Sequence, residues 1–92
     1  MTYIRTQKAV EFSQSALTKV VVYFKNEEKR KYFSRDHLRG SHNPNKELGI
    51  YRIVKMVNKF HESSSRGGVS RAIVYDNTTD QKIMVFENGV WQ

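Results

Sequence analysis

Lysine and arginine side chains recur at short spacing through the middle of this chain, where they could bind phosphate groups. Three are consecutive at residues 29–31, two follow in the next polar segment, and three more recur at intervals of three and four residues within 45–62. Cations of this kind bind nucleic acid by neutralising its backbone phosphates, independently of base sequence. The sequence therefore predicts a nonspecific contact with nucleic acid, DNA or RNA, through Lys29, Arg30, Lys31, Arg35, Arg39, Arg52, Lys55 and Lys59.

The charge of the whole chain favours the same function. Sixteen Lys or Arg oppose nine Asp or Glu, for a formal net charge of +7, and fifteen of the cations lie in residues 1–71. A positive field attracts polyanions over about 8–10 Å at ordinary salt. Tyr23 and Tyr32 lie among these cations and could stack on unpaired bases, although tyrosines in strands commonly serve as packing residues. The competing interpretation is a basic domain whose charged faces are only solvated.

The histidines suggest a different chemistry, metal-dependent hydrolysis. Asp36, His37 and His42 precede a predicted helix that carries Asn58 and His61. This order resembles the ββα nucleases, in which a histidine base acts beside a bound metal. The resemblance is incomplete, because no hairpin lies between the Asp-His pair and the helix, the chain has no cysteine for the supporting cysteine pairs, and Asn58 and His61 lie near the helix end. We therefore expect no enzyme, no catalytic residue, no metal site and no cofactor.

Residues 45–62 contain the only long helical period in the chain. Their apolar side chains recur at offsets of 0, 3, 4, 7 and 10, which places them on one face of a helix and the cations on another. The predicted N-cap is either Asn43, with Pro44 in the first turn, or Asn45. The predicted buried face consists of Ile50, Ile53, Val54, Val57 and Phe60.

Two pairs of strand-like segments flank this helix. Residues 17–25 and 29–35 carry β-branched and aromatic side chains in alternation, and a short polar turn joins them, which predicts an antiparallel hairpin. Residues 71–76 and 81–87 form a second pair by the same pattern. The order β-β-α-β-β predicts an α+β fold in which one amphipathic helix packs on an antiparallel sheet of about four strands.

The length of the chain predicts a single small domain. We assign residues 17–92 to this α+β domain and residues 1–16 to an extended N-terminal arm. The N-terminus lacks the apolar segment of a signal peptide, and no run reaches the roughly 18 apolar residues of a membrane span. We therefore expect a soluble, cytoplasmic protein with no membrane partner, an expectation that a phage or mobile-element product would also meet.

A single helix covers only one face of such a sheet. Val20, Val22 and Phe24 of the first predicted strand point one way. Val21 and Tyr23 point the other way, so both faces of the sheet are partly apolar. Either the N-terminal arm or a partner must cover the second face. The alternative function is therefore a protein–protein interaction or assembly module, as a homo-oligomer or as a subunit of a larger complex, that uses the uncovered sheet face.

Overall fold

The structure is a computed structural model that describes residues 15–92 of the 92-residue chain, so the predicted arm at residues 1–16 lies almost wholly outside the described residues. The elements are β1 (Thr18–Phe24), β2 (Lys29–Phe33), α1 (Lys46–Glu62), a 3₁₀ turn (Ser65–Gly67), β3 (Val69–Asp76), β4 (Lys82–Glu87) and β5 (Val90–Trp91). The predicted α+β fold and its β-β-α-β-β order are confirmed, with the short β5 as a fifth strand. No helix within residues 15–92 combines the length and the apolar character that a membrane crossing requires.

The five strands form one antiparallel sheet in the order β2-β1-β3-β4-β5. The two predicted hairpins, β1–β2 and β3–β4, are joined by pairing of β1 with β3, so these two strands lie inside the sheet. β2 and β5 are its edges. Three consecutive cations occupy β2 and only two residues form β5, and both features discourage pairing with another chain.

The helix α1 packs on one face of the sheet through the middle of its predicted apolar stripe. Ile53 and Val57 are buried against the valines of β1 and β3, while the margins of the stripe are half-buried. Phe60 extends the contact, since its ring centroid lies 5.6 Å from those of Phe24 and Tyr32. Burial of each aliphatic side chain contributes about 1.5–3 kcal/mol, so this layer fixes the position of α1 on the sheet.

The first turn of α1 is held by a cap and by a close approach to the preceding loop. Asn45 is the N-cap, because its side-chain oxygen accepts a hydrogen bond at 3.1 Å from the backbone N–H three residues later. Of the two predicted N-caps, Asn43 and Asn45, the structure therefore confirms Asn45. A Cβ at Gly49 would lie 2.1 Å from Asp36 Oδ1, so only glycine lets the helix approach this carboxylate. Asp36 is itself buried and accepts hydrogen bonds from Leu17 N at 2.9 Å and Ser34 Oγ at 2.6 Å.

The 3₁₀ turn after α1 is attached to the turn between β1 and β2. Arg66 Nε donates to Glu28 Oε2 at 2.5 Å, and the Arg66 guanidinium lies 5.2 Å from the centroid of the Phe24 ring. Asn26 N also donates to the Arg66 carbonyl oxygen at 3.2 Å. The hydrogen bond from Arg66 holds the pKa of the Glu28 carboxyl below its usual value. These contacts fix the tip of the first hairpin beside the end of the helix.

Candidate nucleic-acid interface

The β1–β2 hairpin divides the run of three predicted cations between the two faces of the sheet. Directly opposed residues of antiparallel strands point to the same face. Lys29 pairs with Tyr23 and Lys31 pairs with Val21, so both lysines lie on the face opposite α1. Arg30 lies between them in β2 and points to the side of α1. The run is therefore not one continuous surface.

A shallow cavity of about 310 Å³ lies on the face opposite α1 and brings the two lysines together with two tyrosines. Lys29 Nζ lies 5.6 Å from the centroid of the Tyr23 ring, and Tyr23 is 36% exposed. Tyr75 of β3 also lines the cavity and is half-buried. Lys19 contributes its side chain as well, with its ammonium paired to Asp80. We call Tyr23, Lys29, Lys31 and Tyr75 the sheet surface.

Arg30 and Tyr32 are engaged on the helix side of the hairpin. Arg30 Nη2 forms an ion pair with Glu28 Oε2 at 3.4 Å. Tyr32 is half-buried, and its ring contacts Phe60 with 5.6 Å between the centroids. Of the two tyrosines that sequence analysis offered for stacking, Tyr32 is therefore a packing residue and Tyr23 keeps an exposed ring.

Tyr75 is the member of the sheet surface that sequence analysis missed. It reaches the cavity because β3 pairs with β1, which sets Tyr75 opposite Lys19. Alternation along β3 indicates which residues share a face. It does not indicate that β3 is the neighbour of β1, and only that pairing brings Tyr75 to the basic hairpin.

The loop after β2 carries a second group of the predicted cations. Arg52 of α1 donates from Nη1 to the carbonyl oxygens of Arg35, at 3.0 Å, and His37, at 2.9 Å. These bonds tie the helix to the loop, a structural role that the charge pattern did not indicate. Arg35, Arg39 and Arg52 line a cavity of about 440 Å³ with Asp36 on its wall. We call this the loop cavity.

The remaining predicted cations, Lys55 and Lys59, are exposed on α1. Lys55 Nζ lies 5.3 Å from the ring centroid of Tyr51, one turn earlier, and Tyr51 is 58% exposed. We call Tyr51, Lys55 and Lys59 the helix surface. Because α1 covers one sheet face, the helix surface and the sheet surface lie on opposite sides of the domain. The predicted cations thus form three separate groups, with Arg30 apart from all of them.

The carboxylates of residues 15–92 neutralise few of the predicted cations. Within this range, the carboxylates that form ion pairs are Glu28, Asp76, Asp80 and Glu87. Arg30 is the one predicted cation that takes part in these pairs. Asp76 is engaged elsewhere: the hydrogen bond from Lys46 and those from Thr79 N and Thr78 N lower its pKa to about 2. The two surfaces and the loop cavity therefore keep their positive charge.

Asn58 and His61 of the nuclease comparison form hydrogen bonds within the fold. Asn58 Oδ1 accepts a hydrogen bond from Trp91 Nε1 at 2.9 Å, and His61 Nδ1 accepts one from Val69 N at 3.3 Å. In the described part of the chain, no three His, Cys, Asp or Glu side chains lie close enough together to hold a metal ion. Comparison with protein families, with curated proteins and with solved structures gives no match for this chain.

Proposed function

We propose that this is a non-enzymatic nucleic-acid-binding protein, which holds single strands on the sheet surface without recognising their base sequence. The observation that carries this proposal is the convergence of Tyr23, Lys29 and Lys31 on one cavity of the sheet face opposite α1. Aromatic rings stack on unpaired bases of any sequence, and lysines neutralise the neighbouring phosphates. A surface that offers both kinds of side chain suits a single strand.

Strand pairing holds these groups at a constant separation. Paired strands lie about 4.8 Å apart, so Tyr23 of β1 and Lys29 of β2 stay adjacent as long as the hairpin is intact. The Lys29 ammonium lies over the Tyr23 ring, 5.6 Å from its centroid, so a base that stacks on that ring displaces the ammonium, which then pairs with a nearby phosphate. In a duplex each base is already stacked between neighbours, so a duplex would contact the lysines alone. We therefore expect single strands to bind more tightly than duplexes.

The test compares two double variants that remove the same charge. Lys29→Gln with Lys31→Gln alters the sheet surface, and Lys55→Gln with Lys59→Gln alters the helix surface. Fluorescence anisotropy measures the affinity for DNA and RNA homopolymers of roughly 12 nucleotides, within the usual site size of a small binding domain. Salt is varied from about 50 to 200 mM, where phosphate contacts lose much of their affinity.

We expect the sheet-surface variant to reduce the slope of log affinity against log salt concentration by about 1.4. Each of the two lost phosphate contacts on a single strand contributes about 0.7 to this slope. The helix-surface variant should leave this slope unchanged. Circular dichroism checks that both variants remain folded. Equal losses in the two variants, tighter binding of duplex than of single strands, or no wild-type binding at about 50 mM salt would each overturn the proposal.

A protein-interaction or assembly module is the second candidate, because the same sheet face is also apolar. Phe33 and Val85 lie on it, half-buried, among the basic side chains, as their pairing partners place them. Since one sheet edge is basic and the other very short, a partner would cover the face rather than add a strand. Sedimentation over a range of concentrations tests self-association. A dimer that excludes the oligonucleotide would favour assembly over nucleic-acid binding.

A further inference from the structure

We propose that the loop cavity is a binding site for a phosphate group that carries two negative charges, independently of the sheet surface. The cavity has a volume of about 440 Å³ and is lined by three arginines, from both the loop and α1. Small-molecule sites commonly measure roughly 300–1,000 Å³. Arginine presents a planar fork of N–H donors that matches pairs of phosphate oxygens.

Arg52 is held in position before any ligand binds. Its Nη1 donates to the carbonyl oxygens of Arg35 and His37, at 3.0 and 2.9 Å. Within residues 15–92, its Nε and Nη2 form no hydrogen bond, so these donors remain for an anion. Because the guanidinium is already ordered, binding there costs little further conformational entropy.

Arg35 and Arg39 supply the remaining positive charge. Both are exposed, and both line the cavity. Neither forms an ion pair within the described residues. A concave site with an excess of positive charge concentrates the field and attracts anions. The loop cavity is therefore a stronger anion site than the same arginines would form on a flat surface.

Asp36 also lines the cavity, but its carboxylate is already satisfied. Its Oδ1 accepts from Ser34 Oγ at 2.6 Å, its Oδ2 accepts from Leu17 N at 2.9 Å, and the residue is only 4% exposed. Three arginines and one aspartate leave two positive charges at the cavity. This charge balance is why the proposal specifies a phosphate with two negative charges.

The test uses the full chain, with inorganic phosphate as the probe. Phosphate replaces chloride at constant ionic strength, and ¹H–¹⁵N NMR follows the arginine side chains and the loop amides. Arg35→Gln with Arg39→Gln is the test variant, and Lys55→Gln with Lys59→Gln removes the same charge elsewhere. We expect the wild-type protein to bind phosphate saturably. The control variant should change the phosphate affinity by less than about twofold. The test variant should lower it at least about tenfold, because charge-assisted hydrogen bonds are lost. Arg52 is kept in both variants because it also holds the loop.

Two results would overturn the proposal. One is no saturation by about 10 mM phosphate, ten times a dissociation constant of about 1 mM. The other is equal weakening in both variants, which would mean a general field effect. Oligonucleotides that differ only in a terminal phosphate identify the source of the ligand. Tighter binding of the phosphorylated strand would assign the cavity to a strand end. Equal affinity for both would assign it to a free phosphate compound. Phosphate binding without any oligonucleotide binding would overturn the proposed function alone.

Discussion

Two lysine–tyrosine pairs with nearly equal distances from ammonium to ring lie on opposite sides of this domain. Lys29 Nζ is 5.6 Å from the ring centroid of Tyr23 on the sheet surface, and Lys55 Nζ is 5.3 Å from that of Tyr51 on the helix surface. The first pair joins two strands, whereas the second joins successive turns of one helix. Tyr51 is the more exposed ring, at 58% against 36%. Exposure by itself would therefore favour the helix surface as the binding site.

The two pairs differ in whether other side chains lie beside them and face the same ligand. Lys31 and Tyr75, from the strands on either side of β1, line the same cavity as Tyr23, so a ligand there would meet several groups together. A helix is convex, and its neighbouring side chains diverge from Tyr51. An exposed cation–π pair contributes only about 0.5–1 kcal/mol. Such a pair indicates a binding site only where the backbone directs additional groups toward the same ligand.

The largest expected effect comes from removing the core that supports both surfaces. Phe24 is 2% exposed, and its ring centroid lies 5.6 Å from that of Phe60. Phe24→Ala should lower the free energy of unfolding by about 3–5 kcal/mol, because it leaves a cavity between helix and sheet. Urea unfolding, followed by Trp91 fluorescence and by helical circular dichroism, measures this loss. If the helix signal outlasted the Trp91 signal, the two surfaces would belong to separately stable parts.

An intermediate effect tests the comparison between the two tyrosines directly. Tyr23→Ala should weaken single-strand binding by roughly fivefold to 150-fold, since one stacked base contributes about 1–3 kcal/mol. Tyr51→Ala should change it by less than about twofold, and Tyr23→Phe should retain most of the affinity because the ring remains. Anisotropy titrations at one salt concentration measure all three variants. A greater loss in Tyr51→Ala would transfer the binding site to the helix surface.

The smallest expected effect concerns an ion pair that joins the helix to the sheet. Lys46 Nζ at the start of α1 donates to Asp76 Oδ2 at the end of β3 at 2.6 Å. This bond, with the N–H groups of Thr79 and Thr78, lowers the pKa of Asp76 from 3.8 to about 2. Because the folded pKa is the lower one, this stabilisation is complete above about pH 4 and is lost as the pH falls toward 2.

Asp76→Asn should therefore flatten the dependence of the unfolding free energy on pH between about 4 and 2. Lys46→Gln should flatten it partly, since the backbone N–H groups remain. Urea unfolding at a series of acidic pH values gives the slopes, and oligonucleotide affinity at neutral pH should not change in either variant. An unaltered slope in Asp76→Asn would show that the carboxylate contributes nothing to folding.

The elements of the fold were predictable because burial on one side imposes a period on the sequence. Alternation in the first strand separates the buried Val20 and Val22 from Tyr23, and the helical period places Ile53 and Val57 in the core. The fifth strand is only two residues long, which is too short to carry a period. It forms because Trp91 pairs with its neighbour in β4, a contact that becomes visible only after the sheet has folded.

The candidate site was less predictable, although most of its members were named from their charge. Tyr23 and Tyr32 were equivalent in sequence, and the position of α1 made one a surface ring and the other a packing residue. Arg52 looked like a member of a helical charge stripe, but the path of the loop gave it two carbonyl partners. Gly49 has a low helix propensity, and only the structure shows that its close neighbour is the distant Asp36.

The sequence by itself determined the positive charge, the hairpins, the helix and the alternation that separates neighbouring side chains. These properties follow from residue type and from contacts a few positions apart. Only the tertiary structure decided which sheet face α1 covers, and hence that Lys29 and Lys31 lie opposite Lys55 and Lys59. That choice depends on packing between residues far apart in the chain, which a local period cannot encode.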